Sequence, residues 1–158
     1  MTTLKTTEGD LLARDLRVAI VAARFNDFVV ARLIDGAVDA LIRHGASDKN
    51  LELVRVPGAF DMPLVVRRLA QSKRFDAIVA LGAVVKGETA HFDFVAGECA
   101  SGVARAALDS GVPVGFGVLT CDSFEQAIDR AGGKAGNKGA EAALAALEMS
   151  NLLKRLGS

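Results

Sequence analysis

Asp76-Ala-Ile-Val-Ala-Leu-Gly-Ala-Val-Val-Lys-Gly-Glu-Thr-Ala-His91 is the stretch that decides how this chain folds. Its first ten residues, ending at Val85, make the most apolar run in the sequence. Such a run reads as a strand buried on both faces, the mark of a central strand in a parallel sheet. It breaks at Lys86-Gly87, and His91-Phe-Asp-Phe-Val-Ala96 resumes with helical spacing. The Gly87-Glu88-Thr89 turn therefore stands between a buried strand and a helix N-terminus. There, unpaired backbone N–H groups point outward and favour an anion. His91 is placed to move protons beside a bound phosphate, or else simply to hydrogen-bond the local backbone. Spacing alone leaves both readings open.

Working outward, Leu16-Arg-Val-Ala-Ile-Val-Ala-Ala23 is a strand, after which Asn26 or Asp27 can cap a helix. That helix carries Val29, Val30, Leu33, Ile34, Ala37, Val38, Leu41 and Ile42, a broad apolar stripe at helical period. Gly45 is its expected stop, and His44 is expected exposed, complementing the helix C-terminus. Leu51–Val56 is a second strand, halted by Pro57-Gly58, and a helix follows from about Asp61 to Ser72 with Pro63 in its first turn. The helix opened by His91 runs to about Asp109, and Val112–Leu119 forms a fourth strand. Ser123-Phe-Glu-Gln126 is a capping-box pattern opening a short helix to about Ala131. Glycines from Gly132 to Gly139 interrupt, and an Ala/Leu-rich helix runs from Ala140 to about Leu156. Right-handed crossovers turn this βαβαβαβαα order into a three-layer α/β fold. Its core is a flavodoxin-like four-stranded parallel sheet of order 2-1-3-4 with helices on both faces. Residues 16–158 read as one domain, and residues 1–15 as an N-terminal arm or an extra edge strand.

Composition narrows the function classes. Nineteen basic and nineteen acidic residues balance, so neither a nucleic-acid-binding stripe nor a membrane-seeking basic helix is expected. No apolar stretch reaches membrane-spanning length. Hydrophobic residues make up 51% of 158, more apolar surface than so small a domain hides alone, so extensive subunit contacts are expected. Cys99 and Cys121 lack metal or redox spacing and read as small buried hydrophobes in a reducing compartment. With a polar N-terminal stretch and no apolar leader, the expected location is cytoplasmic.

In such sheets ligands sit beyond the carboxyl ends of the strands. The residues expected there are Arg24-Phe25-Asn26, Pro57-Gly-Ala-Phe-Asp61, the Gly87 turn with His91, and Thr120-Cys-Asp-Ser123. Phe25 and Phe60, aromatic residues in loops, read as plugs over the sheet edge or as a stacking platform for a flat heterocycle. Gly82-x-x-x-x-Gly87 has phosphate-loop spacing, but Glu88-Thr89 replaces the Lys-Ser/Thr pair that would hold phosphate and magnesium. Two distant histidines and no cysteine cluster give a metal site no support. What remains is anion-binding backbone, Arg130, Lys134, Lys138 and a single proton shuttle, His91.

Six segments then resemble one family in its expected order. They are Ala23-Arg-Phe-Asn-Asp-Phe28, Val56-Pro-Gly-Ala-Phe-Asp-Met-Pro63, Leu81–His91, Phe116-Gly-Val-Leu-Thr120, Glu125–Gly132 and Gly133-Lys-Ala-Gly-Asn-Lys-Gly139. The chain resembles the 6,7-dimethyl-8-ribityllumazine synthases, which act at the penultimate step of riboflavin biosynthesis. The resemblance implies condensation of 5-amino-6-(D-ribitylamino)uracil with 3,4-dihydroxy-2-butanone 4-phosphate, giving the lumazine, phosphate and water. It implies no cofactor and no metal, because the substrate's own amine is the nucleophile. Carried over by residue, Phe25 stacks on the pyrimidine, while Ala59, Phe60, Asp61, Ala83, Val84 and Val85 meet the ring edge and ribityl chain. Glu88 and Thr89 offer backbone N–H groups to the phosphate, Arg130 is its charged partner, and His91 shuttles protons. Lys138 lines the same pocket, and Phe116 enters from a neighbouring subunit.

The resemblance further implies a homo-oligomer: a pentamer whose sites lie between subunits, and a hollow icosahedral shell of pentamers from the tight Gly132–Gly139 bend. Riboflavin synthase is the implied protein partner. Asp61 stands where glutamate is common in the family, which bears on its reach to the ribityl hydroxyls, and Lys86 stands where arginine is common. A non-catalytic carrier of flavin or lumazine on the same fold is the alternative, and release of phosphate on turnover separates the two. A shell protein with a vestigial site is a third reading, against which His91 and Arg130 both argue.

Overall fold

The computed structural model describes residues 3–157. Four strands, β1 (Val18–Ala23), β2 (Leu51–Val56), β3 (Ala77–Val85) and β4 (Val114–Cys121), pair in parallel in the expected order β2-β1-β3-β4. Around them lie α1 (Asp27–Arg43), α2 (Met62–Gln71), α3 (His91–Ser110), α4 (Phe124–Asp129) and α5 (Lys138–Leu156). β1 is buried throughout and β3 at all but Val85, because each has a strand on either side and helices above and below. Alternate residues face opposite layers. Val18, Ile20, Val79 and Leu81 pack under α1 and α5, whereas Ala19, Val21, Ile78 and Ala80 pack under α2 and α3.

Several boundaries differ from the pattern for identifiable reasons. β1 starts at Val18 rather than Leu16, because Leu16 donates its N–H to Ala13 O in a turn with Asp15 at φ 65°. β4 starts after Pro113 and extends to Cys121, whose carbonyl accepts from Lys86 N at 2.8 Å. α4 stops at Asp129, and the glycine-rich interruption is a small antiparallel hairpin, β5 (Ala131–Gly133) with β6 (Gly136–Asn137). α5 begins two residues early, capped by Asn137, whose Oδ1 accepts from Gly139 N and Ala140 N at 2.8 and 3.1 Å. His44 is half-buried rather than exposed, its Nδ1 donating to Ala40 O at 2.7 Å. Residues 3–13 form no strand. Residues 8–12 run along α5, held by Asn151 Nδ2 donating to Asp10 O at 2.9 Å and by an Arg155–Asp10 ion pair at 2.7 Å.

Candidate active site

The carboxyl ends of β1, β2 and β3 converge on one open cleft of about 790 Å³. Each strand ends there because its next residues leave the sheet. The chain after β1 turns into α1, Pro57-Gly58 ends β2, and Lys86-Gly87 ends β3. Of the residues singled out in the sequence, Phe25, Ala59, Phe60, Asp61, Ala83, Val84, Val85 and His91 line this cleft. The two loop aromatics are not core plugs: Phe25 is 70% exposed and Phe60 60%. An apolar ring standing in water beside a backbone-edged floor favours a flat heterocycle stacked on it.

The loops that carry these rings are pinned by backbone bonds. Arg24 N donates to Val56 O at 2.7 Å and Phe25 N to Pro57 O at 3.0 Å, tying the β1–α1 loop to the β2–α2 loop. Asp61 turns back on its own loop, its Oδ2 accepting from Gly58 N at 3.1 Å. That bond uses one carboxylate oxygen and leaves the other for a ligand hydroxyl. His91 is the first residue of α3, is exposed, and donates its backbone N–H to Thr89 Oγ1 at 3.3 Å. Its imidazole lines the cleft and makes no hydrogen bond among the described residues, which leaves it open to proton transfer.

Five of the residues that the resemblance assigns to the site lie outside the cleft lining. Glu88 and Thr89 occupy the exposed β3–α3 turn beside it, at the opening of a twenty-residue helix. Phe116 stands on the sheet-edge strand β4, and Arg130 caps α4, its Nη1 donating to Gln126 O at 3.0 Å. Lys138 opens α5, pairs with Glu141 at 3.7 Å and donates its backbone N–H to Arg130 O at 2.8 Å. Arg130 and Lys138 are thus neighbours of each other, and neither lines this chain's cleft. Among the described residues, no group of three or more His, Cys, Asp or Glu side chains is arranged to hold a metal.

Asn26, Pro57 and Gly58, expected there from their places after β1 and β2, also line the cleft, whereas Arg24 and Thr120-Cys-Asp-Ser123 do not; Phe94 and Val95 line it without having been expected there from the sequence. Phe94 lies three residues after His91 on α3, so helical spacing alone places it on the same face. Asn26 holds the N-cap position of α1, yet its side chain makes no capping bond. Its Nδ2 instead donates to Ala83 O at 2.8 Å. Neither thiol takes part: Cys99 and Cys121 are both buried, and burial pushes the Cys99 pKa up to about 11.

A family model described as 6,7-dimethyl-8-ribityllumazine synthase matches residues 15–154. A protein of that name from Nitratidesulfovibrio vulgaris (strain DP4) is 60% identical over 153 residues, covering 97% of this chain and 98% of its own length. Another of the same name, from Halorhodospira halophila, is 60% identical over 154 residues, covering 97% and 99%. No helix among the described residues is long and apolar enough to cross a membrane.

Proposed function

The chain belongs to the 6,7-dimethyl-8-ribityllumazine synthase family, and from that membership we propose how its residues divide the work of making the lumazine. The enzyme condenses 5-amino-6-(D-ribitylamino)uracil with 3,4-dihydroxy-2-butanone 4-phosphate. The amine adds to the ketone and loses water to form an imine, loss of a proton from the neighbouring carbon expels phosphate, and the resulting enol tautomerises to a ketone that the ribitylamino nitrogen attacks, a second water leaving as the ring closes. Because the nucleophile belongs to the substrate, the protein's task is to hold two molecules in register and to move protons.

Phe25 stacks on the pyrimidine. Ala83, Val84 and Val85 meet its edge through backbone groups, and Ala59, Phe60 and Asp61 receive the ribityl chain. The turn at Glu88 and Thr89 offers N–H groups to the phosphate at the start of α3, where the helix dipole favours negative charge. His91 beside it carries the protons. Arg130 neutralises the phosphate and Lys138 stands near it, both supplied with Phe116 by a neighbouring copy.

One observation carries this division. Eight of the residues surround a single cleft, whereas Phe116, Arg130 and Lys138 lie on an edge strand and at helix ends outside its lining. A cleft with a stacking ring and a proton carrier but no guanidinium for the phosphate is completed by a second subunit. The assembly we infer is a pentameric ring, and α3 supports it. Its exposed Phe94, Gly97, Ser101, Ala104 and Leu108 recur at alternating spacings of three and four, a seam suited to packing against other helices. Leu108, 85% exposed in the single chain, is the side chain such packing would bury. The short β5–β6 hairpin fits the further closing of pentamers into a shell. We place the enzyme in the cytoplasm, its product passing to riboflavin synthase.

The test is turnover by the purified protein, following lumazine absorbance and phosphate release together. Equal amounts of both are expected. Lumazine binding without phosphate release would leave only a carrier.

A further inference from the structure

Asn26 does not do what its position calls for. At a helix N-cap, an asparagine side chain ordinarily accepts from the backbone N–H two or three residues on. This one makes no such bond, and its backbone sits in the left-handed region at φ 62° and ψ 42°. Asparagine tolerates that region better than most residues, though not without cost. The side chain reaches across the sheet to Ala83 O, 57 positions away in sequence. Only the Nδ2 end can donate to a carbonyl, so the chemistry fixes which way the amide faces.

The sheet's register explains why Ala83 needs that donor. β1 pairs with β3 up to Ala22↔Leu81. Extended by two residues, the parallel ladder would set Arg24 opposite Ala83 and bring Phe25 N–H to the Ala83 carbonyl. Phe25 N–H goes to Pro57 O instead, at 3.0 Å, on the β2 side. The Asn26 amide stands in for the missing rung. The Phe25 backbone is thereby held between two anchors, its own N–H on Pro57 and the next residue's side chain on Ala83. Both anchors lie in the walls of the cleft.

Resting on the residue roles proposed above, we propose that Asn26 is a positioning residue for the pyrimidine subsite. By completing the β1–β3 ladder at Ala83, it fixes the Phe25 ring over the cleft and holds the Ala83 backbone in register with the ring edge. It acts through those two residues, and the phosphate end, at the β3–α3 turn, lies beyond its reach.

The experiment uses the full-length protein and two substitutions. Asn26→Gly keeps the left-handed backbone without strain and deletes the donor. Asn26→Asp keeps the shape and, while ionised, replaces the donor with a repelled acceptor. Either should raise the KM for ribitylaminouracil, and the Kd of the lumazine product measured by its fluorescence, by about tenfold, the scale of one lost hydrogen bond. The KM for the butanone phosphate should stay within about twofold. For Asn26→Asp, the Kd ratio to the parent should shrink as acidification protonates the carboxyl and restores a donor. Should the aspartate variant not fold, the glycine variant decides alone. Parent-like product binding in the glycine variant, or KM values for both substrates rising together, would overturn the inference. A parent protein that makes no lumazine would instead overturn the function on which it rests.

Discussion

Gly36 lies within α1, where glycine costs about 0.5–1 kcal/mol relative to alanine, so Gly36→Ala on an isolated helix would stabilise. Here the new Cβ would overlap Cγ, Oδ1 and Nδ2 of Asn137. That amide donates to Arg32 O at 3.0 Å and accepts from Gly139 N and Ala140 N as the cap of α5. Displacing it forfeits an N-cap of about 1 kcal/mol and a net hydrogen bond of about 1 kcal/mol. Against the helix-propensity gain, the balance is a destabilisation of about 1 kcal/mol. All three obstructing atoms lie beyond Cβ of residue 137. In an Asn137→Ala background, therefore, Gly36→Ala should change sign and stabilise by about 0.5–1 kcal/mol. Guanidinium unfolding at fixed protomer concentration measures all four corners of this cycle, since the proposed assembly would make apparent stability concentration-dependent. Loss of stability on Gly36→Ala in both backgrounds would refute the packing argument.

His91→Ala should lower kcat by roughly 10²-fold without abolishing turnover, because the free amine and ketone react unaided; a parent-like kcat in steady-state assays would remove His91 from proton transfer. Arg130→Ala should raise the KM for the butanone phosphate far more than that for the pyrimidine, and equal increases would point to a structural role for the residue. Burial raises the Cys99 pKa from 9.0 to about 11, so above pH 9 the unfolded state loses its proton first. Stability from this group is full below pH 9.0 and falls toward about 11. Cys99→Ala should be less sensitive to alkali across that window in pH-dependent unfolding, and an identical slope would count against the burial effect.

The sheet was legible because β1 and β3 are apolar on both faces, a pattern that neither an amphipathic helix nor an edge strand produces. Strand order followed from the connections. The glycine-rich hairpin was not legible, since its residues carry no alternation of their own. Among the bonds that hold it is Asn137 Nδ2 donating to Arg32 O, a contact spanning 105 positions. The cleft's own wall was visible as the unusual residues after β1, β2 and β3. Asn26 was read as a possible cap, and nothing local reveals that Ala83, rather than α1, takes its amide. Phe94 was within reach of helical spacing from His91. Phe116 entered through resemblance alone, Arg130 and Lys138 first as basic residues near glycine-rich turns, and their places on the edge strand β4, at the end of α4 and at the start of α5 leave all three out of the cleft lining.

The central claim, a site divided between neighbouring copies, is tested most directly by mixing two disabled variants. His91→Ala and Arg130→Ala are refolded together in equal amounts, and mixed rings are confirmed by mass. A site is whole when a chain with intact His91 sits beside one with intact Arg130. Each condition is met half the time in a head-to-tail ring, so about one quarter of sites should regain parental turnover. Activity no higher than the average of the two separate variants would place both residues in one chain's site and contradict the account.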